Sequence, residues 1–303
     1  MRIRRAISVY VLVAYAMSWA VFILLALNRH SFIHLFPAGA SNTNIENAWH
    51  SLGALGPLAG AIVALFIFLD RRKRKQFWQG YSFANLNVNG WLLAFSPLLL
   101  FGICLLAGRV IHQEWFNIPA FINSNKLNDP KVLAGWLLPI ILYGFGEEAG
   151  WRGYLLPQLQ SKNNALMATV ILSIIWVVWH IPAFFYRYDF KGGAYLGFTL
   201  GVFAGAVFLT FLFNYTKGSI LAVSLWHFSF NLVSMIVKHD VVLSAVISAL
   251  VMVLAGIILV KCNLEDLSPF RRVSFNGAGV GKDEATRTTV TALKNMKVQE
   301  FKH

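Results

Sequence analysis

Charged residues are scarce in this chain of 303 residues: they make up 13% of the sequence, whereas hydrophobic residues make up 57%. Soluble globular domains carry roughly 25% charged residues and roughly 45–50% apolar ones. The shortage of charge therefore excludes a disordered chain and an ordinary soluble enzyme. Together with a mean hydropathy of +0.60, it predicts an all-α, polytopic membrane protein.

Cysteine is also rare, with Cys104 and Cys262 as the two copies in the sequence. Two cysteines in or beside apolar runs predict neither a disulfide framework nor a cysteine metal cluster. The sequence has no His-Glu-x-x-His segment, the helical motif that binds zinc in many metalloproteases. No serine in the apolar runs lies in a G-x-S-x-G context, so a serine nucleophile is disfavoured.

Positive charge exceeds negative charge, since 26 Lys and Arg residues stand against 13 Asp and Glu residues. Nucleic-acid binding needs a basic stripe interleaved with aromatic residues, and the sequence contains no such stripe. In a membrane protein, the same excess is typical of loops next to anionic lipid on the cytoplasmic side. We therefore expect the lipid bilayer, and no nucleic acid, as a partner.

Eight apolar runs predict eight transmembrane helices, each near the roughly 20 residues that cross a bilayer. They lie at about 6–27, 50–69, 90–112, 132–157, 166–186, 194–214, 218–238 and 241–260. With both termini in the cytoplasm, the inner loops hold 11 basic residues and the outer loops 6, as the positive-inside rule favours. The sequence thus predicts a multi-pass protein of the cell membrane, with a transmembrane domain at 1–262 and a polar, flexible cytoplasmic tail at 263–303.

Three of the predicted membrane helices carry ionisable or amide side chains, which are rare there because a charge costs at least about 2.5 kcal/mol at the helix centre. The six residues are Glu147, Glu148, Arg152, His180, His227 and Asn231. Glu148 and Arg152 are spaced to pair on one helix face, and His227 and Asn231 are spaced in the same way. Such a set, at similar depth on three helices, predicts one polar cavity.

The chemistry of this cavity follows from the residue types. Arg152 can hold Glu148 ionised, which leaves Glu147 as the group that handles a proton. A carboxylate and a histidine can activate a water molecule as general base, while a second histidine and an amide can donate hydrogen bonds to a developing oxyanion. These groups suffice to hydrolyse an amide without a covalent intermediate.

The arrangement Glu-Glu-x-x-x-Arg at 147–152, Trp-x-x-x-His at 176–180 and His-x-x-x-Asn at 227–231 resembles the CPBP family, the CAAX-protease and bacteriocin-processing (Abi) intramembrane endopeptidases. The resemblance covers about residues 132–236, the expected protease core. It implies that Glu147 and His180 activate water, Glu148 and Arg152 support the site, and His227 and Asn231 hold the oxyanion. The family commonly has Phe where this chain has Trp176, a difference expected to affect the pocket wall.

Other functions fit the same residues. Glu147, His180 and His227 could be three zinc ligands, with water as the fourth, in an intramembrane metalloprotease. The polar site could also be structural, in a non-catalytic immunity or scaffold protein, or relay protons in a transporter. We prefer a peptidase without cofactor that cleaves a peptide or protein at the membrane. The sequence does not specify that substrate, nor whether it is prenylated.

Overall fold

The computed structural model describes residues 2–28, 42–188 and 190–275. Within these ranges the regular structure is entirely helical. The helices are α1 (Arg2–Asn28), α2 (Asn42–Leu52), α3 (Leu55–Phe68), α4 (Arg71–Gln79), α5 (Val88–Ala94), α6 (Ser96–His112), α7 (Ile118–Ser124), α8 (Pro130–Gln160), α9 (Ala165–Trp179), α10 (Ala194–Tyr215), α11 (Ile220–Val237) and α12 (Val241–Lys261).

Seven helical segments of the described ranges are long and apolar enough to cross a membrane, and α5 with α6 forms an eighth if this pair, bent by 49°, is one span. The second span, Glu46–Phe68, joins the end of α2 to α3. Every predicted apolar run corresponds to one of these segments. The prediction of an all-α, polytopic membrane protein is confirmed, while the cytoplasmic placement of both termini stays a prediction.

Helix α8 passes through the middle of the bundle, between α3 and α11, and glycines allow it to approach both closely. A Cβ atom at Gly150 would lie 2.4 Å from the Cβ of Pro57 on α3. On another side of α8, a Cβ at Gly144 would lie 2.8 Å from the carbonyl oxygen of Ser224 on α11. The backbone of α8 therefore lies against its neighbours at the level of the two glutamates.

Two π-helical turns interrupt α8, at Tyr143–Glu147 and Trp151–Leu155, with an α-helical turn at Glu148–Gly150 between them. Such turns are rare in proteins, and those that occur often lie at functional sites. The sequence predicted a regular helix here, in which neighbouring side chains are about 100° apart. The π turns change this spacing, so the directions of the two glutamates are set by the distorted backbone and by their contacts.

Helix α9 begins at an Asn164 cap, whose side chain accepts a hydrogen bond from the backbone N–H of Met167. It ends at Trp179, and a 3₁₀ turn follows at Ile181–Phe185. Pro182 explains this end, because a proline disfavours the α-helical conformation of the residue before it. His180 therefore lies at the junction between the two helices.

Residues 263–275, which were predicted to belong to a flexible tail, pack against the bundle. The backbone N–H of Ala165 donates to the carbonyl of Glu265 at 2.8 Å, and Leu267 and Phe275 are buried. The amide of Asn214 donates to the carbonyl of Asp266 at 2.8 Å. The folded part therefore extends beyond the predicted boundary at residue 262, and the remainder of the predicted tail, 276–303, lies outside the described residues.

Candidate active site

A buried ionic group connects α8 to α11. Nη1 of Arg152 donates to Oε1 of Glu148 at 2.9 Å, and Nδ1 of His227 lies 2.8 Å from the same oxygen. Glu148 and Arg152 have no exposed surface, and His227 is 8% exposed. The predicted pairing of Glu148 with Arg152 is present in the structure. Glu148 additionally binds His227, which the sequence had not connected to it.

Arg152 is also held by an aromatic ring. Its guanidinium carbon lies 4.5 Å from the ring centroid of Trp176 on α9. Nε and Nη2 of Arg152 and Oε2 of Glu148 are enclosed and make no hydrogen bond to another described residue. A cation over an indole face is stabilised electrostatically, most strongly where water is excluded. This group is closed to solvent and thus suited to support rather than to bind substrate.

Glu147 is held differently, by two tryptophan side chains. Oε2 of Glu147 accepts hydrogen bonds from Nε1 of Trp176 at 2.9 Å and from Nε1 of Trp151 at 3.3 Å. Oε1 accepts no hydrogen bond from a described residue, and it is not among the enclosed polar atoms. One carboxylate oxygen is therefore anchored, and the other is open to a water molecule.

His180 has one nitrogen committed and one available. Its Nδ1 lies 2.8 Å from the carbonyl oxygen of Trp176. A carbonyl can only accept a hydrogen bond, so Nδ1 carries the proton and Nε2 of the neutral ring keeps its lone pair. The ring is packed edge-on against Trp179 and Phe198, with centroid separations of 4.7 and 5.1 Å.

His227 and Asn231 lie about one turn apart on α11. Because Nδ1 of His227 donates to Glu148, its Nε2 is the nitrogen that can meet a substrate. Asn231 is half-buried, and its amide makes no hydrogen bond to a described residue. Nε2 of His227 and the Asn231 amide are not among the polar atoms that are both sealed from solvent and without a hydrogen-bond partner.

Trp176 is the residue around which the site is organised. Its ring centroid lies 5.7 Å from that of His227 and 6.1 Å from that of His180, and its N–H contacts Glu147. The structure therefore brings Glu147, His180 and His227 around one indole. For Asn231, it gives the position next to His227 on α11 and no direct contact with the other three.

Sequence reasoning missed the two tryptophans that bind Glu147. The sequence predicts that Trp176 forms part of the pocket wall, and it predicts no role for Trp151. The available signal was chemical, since a phenylalanine cannot donate a hydrogen bond and an indole can. Trp151 also lies four residues after Glu147, a spacing that brings two side chains together on a helix.

Within the ranges that the structure describes, no three His, Cys, Asp or Glu side chains are grouped so as to hold a metal ion. Glu147, His180 and His227, the ligands of the zinc alternative, therefore do not form such a group. Moreover, Nδ1 of His227 is already bound to Glu148.

Part of the chain is similar to proteins of known family. Residues 129–233 match the family model of Rce1-like type II CAAX prenyl endopeptidases. CAAX prenyl protease 2 of the archaeon Methanococcus maripaludis is 31% identical over 103 residues, which are 32% of this chain and 38% of the archaeal protein. The chain thus matches less than two fifths of the length of that relative, and the matched family region contains all six site residues. Residues 129–233 are thus similar to the CAAX protease (CPBP) family, in its Rce1-like group.

Proposed function

We propose that this protein is an intramembrane endopeptidase of the cell membrane, which hydrolyses a peptide bond in a membrane-associated peptide or protein without a metal or other cofactor. The proposal depends on the different surroundings of the two carboxylate oxygens of Glu147. Its Oε2 is fixed by two indole N–H groups, while Oε1 is open. A carboxylate held in this way is preorganised to bind and orient one water molecule.

The reaction begins when Glu147 takes a proton from this water, whose oxygen attacks the carbonyl carbon of the scissile bond. The electron pair of the C=O bond moves to the carbonyl oxygen, giving a tetrahedral intermediate. When the intermediate collapses, the C–N bond breaks and the proton on Glu147 passes to the leaving amine. The products are a carboxylic acid, which releases the second proton of the water to solvent, and a free amine, and Glu147 returns to its starting form.

His180 acts with Glu147 in this scheme. With its proton on Nδ1, it offers the Nε2 lone pair as a second acceptor for the attacking water. The carbonyl of Trp176 fixes the ring, and the neighbouring indole of the same residue fixes Glu147. One residue therefore positions both groups that bind the water.

The developing oxyanion is assigned to His227 and Asn231. Asn231 can donate through its amide, whereas His227 can donate through Nε2 only when both ring nitrogens carry protons, because Nδ1 already donates to Glu148. Oε1 of Glu148 accepts the hydrogen bond from Nδ1 of this ring as well as the one from Arg152. Hydrogen bonds to an oxyanion are a large contribution to amide hydrolysis, commonly a factor of about 10²–10³ for one donor.

The test is Glu147→Gln, which keeps the size and most hydrogen bonding of the side chain and removes the base. Membranes that contain the wild type or Glu147→Gln are compared by quantitative proteomics for a precursor that accumulates uncleaved. Glu114→Gln, at an exposed position outside the site, is the matched control and should behave as the wild type.

The same comparison addresses the non-catalytic alternative. An immunity or scaffold protein would keep its cellular phenotype in the Glu147→Gln variant, and no precursor would accumulate. Cleavage at the wild-type level by Glu147→Gln would overturn the proposed mechanism. Loss of cleavage with unchanged amounts of the variant in the membrane would support it.

A further inference from the structure

A polar cleft lies where the start of α1, the junction of α3 and α4, the end of α8 and the segment 263–275 meet. Its volume is about 240 Å³, well above the roughly 10–15 Å³ that one water molecule needs, so it can hold a polyatomic group. Its polar lining consists of Arg2, Asp70, Lys73 and Gln158. These residues have no part in the reaction proposed above.

The cleft lies at the level where two helices leave the membrane. Arg2 begins the first membrane span, and Phe68 ends the second. Nη2 of Arg2 donates to the carbonyl oxygen of Phe68 at 3.2 Å, which joins the two helix ends at the cleft. Phe66 and Ile67, directly before this end of α3, are 62% and 59% exposed. A molecule in the cleft therefore has polar groups around it and an exposed apolar face of α3 beside it.

The side chains of the cleft carry a net positive charge. Arg2 and Lys73 are cations, and Asp70 is the carboxylate among the lining residues. Asp70 caps α4 by accepting the backbone N–H of Lys73, and in the described part of the chain neither cation is held in an ion pair. Lys73 also belongs to a run of five basic residues at 71–75. An anion that enters the cleft therefore meets an excess of positive charge.

Gln158 gives the cleft a buried hydrogen-bond donor. It is 3% exposed, and its amide makes no hydrogen bond to a described residue. The hydroxyl of Tyr154, about one turn earlier in α8, is its neighbour and is likewise enclosed without a partner within the described ranges. Buried polar groups in native proteins nearly always have a hydrogen-bond partner. An oxygen-rich group in the cleft would give the Gln158 amide such a partner.

Two cations and a buried amide match the oxygens of a phosphate. Arginine binds phosphate through two parallel N–H groups, and lysine binds it as a point charge. Clusters of about four to eight Lys and Arg residues beside a membrane helix are typical of segments that bind anionic lipids. From these observations we infer that the cleft binds the phosphate headgroup of an anionic phospholipid, which Arg2, Lys73 and Gln158 contact directly. The acyl chains of this lipid lie along the exposed face of α3.

The experiment measures lipid binding to the purified full-length protein by native mass spectrometry. Phosphatidylglycerol, which is anionic, and phosphatidylcholine, which is zwitterionic, are titrated separately with the same acyl chains. For the wild type we expect the first phosphatidylglycerol to bind with a Kd about tenfold below that of phosphatidylcholine, at the lower end of the range for hydrogen bonds to charged groups. This result does not depend on the proposed peptidase activity.

Lys73→Gln should raise the Kd for phosphatidylglycerol about tenfold. Lys75→Gln is its matched control, because Lys75 is an exposed lysine of the same helix that does not line the cleft. Arg2→Gln and Arg5→Gln form a second pair of the same kind, since Arg5 is exposed on α1 outside the cleft. Equal losses of affinity within each pair would mean that the lipid responds to the general charge of this surface, and would overturn the cleft as its site.

Two further variants leave every basic residue unchanged. Gln158→Met keeps the length of the side chain and removes its amide, so the Kd for phosphatidylglycerol should rise about three- to tenfold. Asp70→Asn keeps a side chain that caps helices and removes the carboxylate that repels an anion, so the same lipid should bind severalfold more tightly. Both variants remain informative if Arg2→Gln disturbs the contact between α1 and α3. Unchanged affinity in both would contradict a headgroup in this cleft.

Free phosphate offers the same chemistry as the headgroup, and thermal unfolding separates the two sources. With the lipid as ligand, phosphatidylglycerol should raise the unfolding temperature of the wild type, whereas millimolar inorganic phosphate should not. A rise with inorganic phosphate that Lys73→Gln abolishes and Lys75→Gln retains would assign the cleft to free phosphate instead. Equal Kd values of the wild type for phosphatidylglycerol and phosphatidylcholine would overturn the anionic lipid site.

Discussion

Nδ1 of His227 lies 2.8 Å from Oε1 of Glu148, although the two residues are 79 positions apart in the chain. The same oxygen accepts a hydrogen bond from Arg152 at 2.9 Å. Glu148 thus fixes the ring of His227 and neutralises Arg152 at one point. The adjacent glutamates differ in their contacts: Glu148 pairs with Arg152 and His227, whereas Glu147 is held through Oε2 by Trp151 and Trp176.

This difference predicts that the same substitution lowers the free energy of unfolding at Glu148 and abolishes cleavage at Glu147. Glu148→Gln leaves Arg152 as a buried charge without its anion, and breaking such a pair costs about 3–5 kcal/mol. Glu147→Gln removes no ion pair, so we expect a change in the free energy of unfolding below about 1 kcal/mol, with loss of cleavage. Unfolding in detergent micelles measures the stability of both variants, and a cleavage assay measures their activity. Equal stability of the two variants would contradict the supporting role of Glu148.

A second prediction concerns Trp176. Trp176→Phe keeps an aromatic ring but removes the hydrogen bond to Oε2 of Glu147. A hydrogen bond to a charged group contributes about 1.5–3 kcal/mol, and Trp151 still donates, so kcat should fall about tenfold with little change in KM. Trp115→Phe, at an exposed tryptophan outside the site, serves as the control. An unchanged kcat in Trp176→Phe would mean that this hydrogen bond does not orient the base.

A third prediction separates the metal-free mechanism from the zinc alternative. In the described ranges the acidic and histidine side chains are not grouped to hold a metal ion, so cleavage should survive exhaustive chelation at the wild-type rate. The measurement is cleavage before chelation, after it, and after Zn²⁺ is added back. Activity that disappears on chelation and returns with Zn²⁺ would favour the zinc enzyme.

The membrane helices could be predicted from the sequence because apolar length is a local property of the chain. The pairing of Glu148 with Arg152 could also be predicted, since it depends only on helical spacing. The contact of Glu147 with Trp176 could not, because Trp176 comes from another helix. For the same reason the bond between His227 and Glu148 was missed: it depends on how α11 packs against α8.

The predicted boundary at residue 262 lies before the end of the packed segment, for a related reason. Residues 263–275 are polar and carry mixed charges, a composition that is typical of flexible segments. They are held by backbone hydrogen bonds to the start of α9 and by Asn214. Such contacts depend on the assembled bundle and leave no periodic pattern in the sequence.

A fourth prediction uses the cap of α4. The carboxylate of Asp70 accepts the backbone N–H of Lys73 at 2.9 Å, and this hydrogen bond lowers the pKa of Asp70. A lowered pKa means that the cap stabilises α4 at neutral pH and that this contribution is lost as the pH falls through the pKa. Amide hydrogen exchange of 72–79, corrected for the intrinsic pH dependence, should show lower protection in acid.

Asp70→Asn is the matched variant, because asparagine caps helices without titrating in this range. Its protection of α4 should depend less on pH than that of the wild type. Asp70→Ala should show reduced protection at every pH. If the Asn variant and the wild type lost protection in parallel, the acid effect would arise elsewhere in the protein.

The last prediction concerns the close approach of α8 to α3. An added methyl group at Gly150 would meet the Cβ and the carbonyl oxygen of Pro57 at 2.4 and 2.5 Å, and neither atom can move without shifting backbone. Overpacking of this kind costs typically about 1–3 kcal/mol, so Gly150→Ala should lower the free energy of unfolding by about that amount. Because Glu147 and Glu148 precede this position in the same helix, cleavage should fall as well.

Gly201→Ala is the control for this change, since a Cβ at Gly201 on α10 has no neighbour within 4 Å. It should leave unfolding and cleavage close to those of the wild type. Gly150→Ala with wild-type stability would mean that α3 and α8 can separate at little cost. The positions of the two glutamates would then have to be maintained by their contacts with Trp176 and His227 rather than by this helix pair.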